Sequence, residues 1–235
     1  MNILNYFEKL NEKSQEIYAI ALKEPLLLGK AHSSASEIYE LSKFITDTDE
    51  QQMLGVVSSQ IEASCLALSL GLYRPAMSTL RLALELGLGC IYFSANKFAH
   101  REWMNGGDLK WSTITSDQDG VFSTRFRKAF FVNLEDENLT YRERALSVFR
   151  KLSEYVHGNN ETWKINGISL QNNTGLRSLY ANQLDEVVTV IKFAFCVRYL
   201  KSIDKANCEN VSSILEEFNY IAAIREHLGG PKEIK

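Results

Sequence analysis

The sequence predicts an all-α fold, an antiparallel helical bundle with one small β-hairpin insertion, on three observations. Only 3 prolines and 13 glycines occur in 235 residues, too little punctuation for the frequent turns of an all-β chain. Apolar residues make up 45% of the chain and recur at three- and four-residue spacings over long stretches. Three of those stretches open with a Ser or Thr followed three residues later by Glu or Gln, a spacing that satisfies the free N–H groups of a helix start. No repeat, low-complexity tract or linker divides the chain, so residues 1–235 are expected to form a single domain.

Residues 3–28 place Ile3, Phe7, Leu10, Ile17 and Ala21 on one helical face, with Pro25 as a kink or end. Ser34 with Glu37 predicts the start of a second helix reaching Thr46, whose stripe is Ile38, Leu41 and Ile45. Thr48 with Gln51 predicts a third, to Leu72, striped by Leu54, Val57, Ile61 and Leu68. Pro75 suits the first turn of a fourth helix to Phe98, which is apolar nearly all round and is expected at the centre. Residues 99–118 show no clean period and are expected to be irregular, before a short helix within 120–132.

Thr140 with Glu143 predicts a helix that ends at His157 before Gly158, with Ala145, Val148, Phe149, Leu152 and Val156 inward. Asn166-Gly167, between Trp163-Lys164-Ile165 and Ile168-Ser169-Leu170, has the alternation and turn of a hairpin. A long helix over 174–203 and a last one to His227 complete the reading.

Charged residues are 23% of the chain and the net charge is −3, which excludes a histone-like or polybasic protein and leaves room for a local basic face. Such a face is expected between Val121 and Lys151, where Arg125, Arg127, Lys128, Arg142, Arg144, Arg150 and Lys151 outnumber the acids. Arg125, Arg127, Lys128 and Lys151 are the candidates for RNA contact, with Trp103, Trp111 or Trp163 as stacking faces. The N-terminal residues are charged where a secretory signal runs apolar, and the most apolar stretch, 65–93, holds Arg74, Pro75, Arg81 and Glu85. Neither a signal nor a membrane span is expected. Cys65, Cys90, Cys196 and Cys208 are scattered singly, which suits free thiols in the cytoplasm better than a disulfide framework.

Phosphate loops, Cys-x-x-Cys pairs, His-Glu-x-x-His and Gly-x-Ser-x-Gly are all absent, and the four histidines start no clustered metal site, so neither metal nor cofactor is expected. Polar residues in unusual places remain. Arg150, Ser153, Glu154 and His157 share about a third of one helix circumference. An arginine holds a phosphate by two hydrogen bonds, and a histidine exchanges protons near neutral pH, so Arg150 and His157 suit binding an RNA phosphate and activating its 2′-hydroxyl. A cation in a last helical turn also has a purely local use against the helix dipole. On the central helix, Ser78, Arg81, Glu85 and Tyr92 form a second polar strip. Facing the 140–157 helix, Glu85 would orient Arg150 or His157 and Arg81 would add phosphate binding; alternatively Arg81 and Glu85 are a self-contained i, i+4 ion pair.

The stretch Phe149-Arg150-Lys151-Leu152-Ser153-Glu154-Tyr155-Val156-His157-Gly158, with an arginine and a histidine separated by six residues, resembles the signature of the HEPN superfamily. Its Leu-Ser-x-x-x-His-Gly ending and the upstream Leu80-Arg81-Leu82-Ala83-Leu84-Glu85 look like HEPN-type domains of bacterial defence and toxin systems, over roughly residues 50–200. That resemblance implies a helical, metal-independent ribonuclease acting in phage defence or as a regulated toxin. It also implies a homodimer whose two motifs face one cleft, a regulatory partner protein, and Arg150 and His157 as the active-site pair; the shared helix faces add Ser153, Glu154, Arg81 and Glu85 as supporting candidates. Two positions depart from the pattern: Lys151 follows the arginine, where active members often carry Asn, Asp or His, and Asn159 stands where the nucleotidylated toxins carry Tyr. Some HEPN domains are silent, so the alternative is a non-catalytic module binding a protein or nucleotide, with Trp103, Met104 and Trp111 of the irregular segment as contact residues.

Overall fold

The computed structural model describes residues 2–157, 170–203 and 211–232, without the side chain of Asp136. The described residues are all-α. In chain order the helices are α1 (Ile3–Lys23), α2 (Pro25–Ser42), α3 (Thr48–Ser69), α4 (Tyr73–Ala95), α5 (Lys97–Met104) and α6 (Trp111–Ile114). They continue with α7 (Thr124–Phe130), α8 (Glu135–His157), α9 (Thr174–Tyr199), α10 (Ser212–Phe218) and α11 (Ala222–His227). The expected hairpin around Asn166-Gly167, together with Gly158, Trp163 and Cys208, lies outside the described residues.

Pro25 divides α1 from α2, because a residue without an N–H cannot extend the ladder of α1 but is tolerated as the first residue of a new helix. The helix expected to begin at Ser34 therefore begins at Pro25, and the Ser34/Glu37 spacing falls inside it. Of the α1 stripe only Ile17 and Ala21 are buried, while Ile3 and Phe7 are exposed. α3 is capped one residue earlier than expected, by Asp47, whose carboxylate accepts the Glu50 N–H at 3.1 Å. It stops at Ser69 in a Schellman turn: the Leu72 N–H reaches Ala67 O and the Gly71 N–H reaches Leu68 O, with Gly71 at φ 79°.

α4 and α9 form the middle of the bundle. α4 packs against α3, α8 and α9, and α9 also against α2, α7 and α8. Gly87 lets α4 and α9 close on one another, since a Cβ there would lie 2.7 Å from Ile191 Cδ1. α4 is long and apolar enough to cross a membrane by length and composition alone, but 67% of that stretch is buried inside the bundle.

Residues 99–118 are less irregular than expected. α5 forms because His100 and Trp103 turn inward on Phe93, the His100 ring stacking on Phe93 at 4.8 Å. α8 starts at Glu135, five residues before the expected Thr140 cap, with Glu135 and Glu137 in a first turn where acidic residues complement the helix dipole. α9 begins as expected, Asn173 accepting the Leu176 N–H at 3.0 Å, and ends at Tyr199 in a short 3₁₀ turn. The final helix is broken into α10 and α11.

Candidate functional site

The two polar strips expected on α4 and α8 meet at the C-terminal end of α8. Arg74 and Arg81 lie seven residues apart on α4, hence on one face. Arg74 Nε donates to Tyr155 O at 2.6 Å and its Nη2 to Val156 O at 3.3 Å, closing carbonyls that a helix end leaves free. Two turns along, Arg81 Nη1 approaches His157 Nε2 to 3.5 Å.

Arg81 is held on two sides. Its Nη2 donates to Glu85 Oε1 at 3.2 Å. The guanidinium carbon lies 4.4 Å from the Phe149 ring centre, and Trp111 stacks on Phe149 at 4.0 Å with the planes 4° apart. Phe149 is thus layered between Trp111 and Arg81, since its stacked neighbours cannot share a face. Arg81 Nε is buried and has no hydrogen-bond partner among the described residues.

Arg150 and His157 are both exposed, and Arg150 forms no hydrogen bond or ion pair among the described residues. Arg81, Glu85 and His157 are therefore brought together, whereas the Cα of Arg150 stands about 10 Å from that of His157 along the helix axis, seven residues at the helical rise, with no hydrogen bond between them among the described residues. The Ser153 hydroxyl donates back to Phe149 O at 2.6 Å and Glu154 accepts from Lys151 at 2.9 Å. That hydrogen bond, more than the burial opposing it, raises the Lys151 ammonium pKa. Tyr92 is buried and leaves the strip; burial, then Asp119, raises its phenol pKa.

One basic candidate is corrected. Arg127 is buried, donating to Val132 O and, at 3.0 Å, to Glu135 Oε1, so its guanidinium braces the α7–α8 corner and does not face solvent. Arg125 and Lys128 on α7 are exposed. Trp103 and Trp111 are half-buried on Phe93 and Phe149 instead of standing free, while Met104 is exposed. Among the described residues, no three His, Cys, Asp or Glu side chains converge to hold a metal ion.

Neither family models, nor curated proteins, nor solved structures give a match for this chain. Sequence reasoning missed Arg74 and the part played by Phe149. The signal for Arg74 was its seven-residue spacing from Arg81; Phe149 read only as one more apolar position of its stripe.

Proposed function

We propose that this chain is a HEPN-like, metal-independent endoribonuclease of the cytoplasm, acting in phage defence or as a regulated toxin and working as a homodimer. The observation that carries the reading is the approach of an arginine guanidinium to an exposed histidine at the end of α8, at 3.5 Å, with a second, exposed arginine two turns back on the same face. Arginine supplies charge and fork-shaped hydrogen bonding for a phosphodiester, and histidine supplies proton transfer.

In the reaction the 2′-hydroxyl oxygen attacks the adjacent phosphorus, the bond from phosphorus to the 5′-oxygen breaks, and the hydroxyl proton ends on that leaving oxygen. The products are a 2′,3′-cyclic phosphate and a 5′-hydroxyl, with no water or oxidant consumed. His157 serves as general acid or base, and the arginines offset charge building on the phosphate oxygens. Arg125, Lys128 and Lys151 guide the RNA electrostatically.

The test is cleavage of total RNA in EDTA by wild type, Arg150→Ala and His157→Ala. Cleavage by wild type, lost in His157→Ala and reduced in Arg150→Ala, is the expected result; full activity in His157→Ala overturns it.

A second reading, a non-catalytic module that binds a partner protein, is favoured by α5, where Phe98 is 79% exposed and Met104 is exposed too. Loss of partner binding in Phe98→Ser, with no effect of His157→Ala on any property, would select it.

A further inference from the structure

We infer that the scissile phosphate is held within one chain, between Arg81 of α4 and His157 of α8, and that Arg150 serves a different phosphate of the same RNA. This rests on the ribonuclease reading and changes which arginine does the holding.

Distance is the first argument. Arg81 Nη1 is already 3.5 Å from His157 Nε2, whereas Arg150, whose Cα lies about 10 Å back along the axis of α8, has no hydrogen bond to His157 among the described residues. Preorganisation is the second. Glu85 fixes one edge of the Arg81 guanidinium and Phe149, backed by Trp111, supports its face, so little side-chain freedom remains to be lost on binding. The exposed Arg150 has no such bracing among the described residues.

Spare hydrogen-bonding capacity is the third. Arg81 Nη1 has only a long contact to the imidazole, at an exposed position. An oxyanion is the acceptor such a donor lacks. The last argument concerns the helix end, whose free carbonyls would repel a phosphate. Arg74 covers those of Tyr155 and Val156, and Arg81 adds a second cation beside them. Both residues come from the same chain as His157, so an anion-binding pair needs no second subunit to complete it.

The experiment titrates the full chain with a 3′-phosphorylated trinucleotide and follows the His157 ring resonances by NMR, in wild type, Arg81→Ala, Arg81→Lys, Arg150→Ala and His157→Ala, each checked for helical content. Wild type is expected to show saturable His157 shifts. Arg81→Ala is expected to weaken binding roughly tenfold or more and to abolish those shifts, as removal of charge-assisted hydrogen bonds does. Arg81→Lys, which keeps the charge and loses the fork, falls between. Arg150→Ala weakens binding but keeps the full His157 shift at saturation. Mixing Arg81→Ala with His157→Ala chains restores nothing, because neither chain then carries both groups.

No His157 shift in wild type overturns the inference. So does a shift that survives Arg81→Ala but not Arg150→Ala, or restoration on mixing. Absence of RNA cleavage with phosphate binding and its Arg81 dependence intact would remove the ribonuclease reading and leave the anion site standing.

Discussion

Arg74 Nε donates to the main-chain oxygen of Tyr155 at 2.6 Å, so a side chain of α4 closes the C-terminal turn of α8, in which His157 sits. The bond is exposed, and its contribution to global stability is expected to be about 1 kcal/mol or less. Its local effect is larger. Arg74→Ala should speed amide exchange at 154–157 while leaving α4 and α9 protected, and Arg74→Lys should fall between. Unchanged exchange at the end of α8 would show that the contact holds nothing.

Lys192 is a cation 2% exposed, held by Glu37 Oε2 at 2.8 Å, Glu217 Oε2 at 3.0 Å and Ser213 O at 3.1 Å. It ties α2 and α10 to α9. Lys192→Met leaves two carboxylates facing each other without their cation and is expected to cost about 3 kcal/mol, near the low end for a broken buried pair because both acids keep some solvent contact. Combining it with Glu37→Gln and Glu217→Gln removes the orphaned charges and should recover most of the loss. Urea unfolding of the single and triple variants reads this directly.

Asp47 carries a pH dependence of known sign. The hydrogen bond from Lys97, then the N–H of Glu50, holds its carboxyl below the usual aspartate range. A depressed folded value means that the stabilisation is complete above the unfolded value of about 3.9 and is lost as pH falls through the folded one. Asp47→Asn keeps a good cap and loses the charge. Its deficit against wild type should be under about 1 kcal/mol at neutral pH, as for an exposed pair, and should shrink steadily below about pH 4. A deficit constant from pH 7 to pH 3 would contradict the assignment.

Gly87→Ala pits helix propensity against space. Alanine gains about 1 kcal/mol in a helix interior, but its Cβ would lie 2.7 Å from Ile191 Cδ1 and 2.8 Å from Cγ1. Overpacking at about 1–3 kcal/mol is expected to win. Ile191→Val removes the Cδ1 clash and keeps the one at Cγ1, so the double variant should lose less than the sum of the two single losses without full recovery, a coupling that a double-mutant cycle measures.

The long helices were legible because their period survives over many turns: α4 has Pro75 in its first turn as expected but ends at Ala95 instead of Phe98, and α9 starts at Thr174 as expected and ends at Tyr199 instead of Ile203. Capping spacings misled where they fall inside helices. Glu37 looks like a partner for Ser34, yet its carboxylate serves Lys192, and Thr140 lies inside a helix that begins at Glu135. Helices of four to eight residues, α5 and α6, carry too few turns to show a period. At the site, Arg81 and Glu85 were visible as charges on the apolar α4, and His157 as the last residue of α8 beside its apolar stripe. Arg74 shares a face with Arg81 by its seven-residue spacing, but its partners are main-chain oxygens, which no side-chain pattern marks. Burial of Arg127 was equally hidden, since a run of basic residues reads the same whether it faces water or braces a corner.

The most direct test is the chemistry of the RNA ends. Purified protein and its His157→Ala variant are incubated with a defined RNA in EDTA, and the product termini are assigned by mass. The account predicts 2′,3′-cyclic phosphate and 5′-hydroxyl ends from wild type and intact RNA from His157→Ala. Products ending in 3′-hydroxyl and 5′-phosphate, or equal cleavage by the variant, would contradict it.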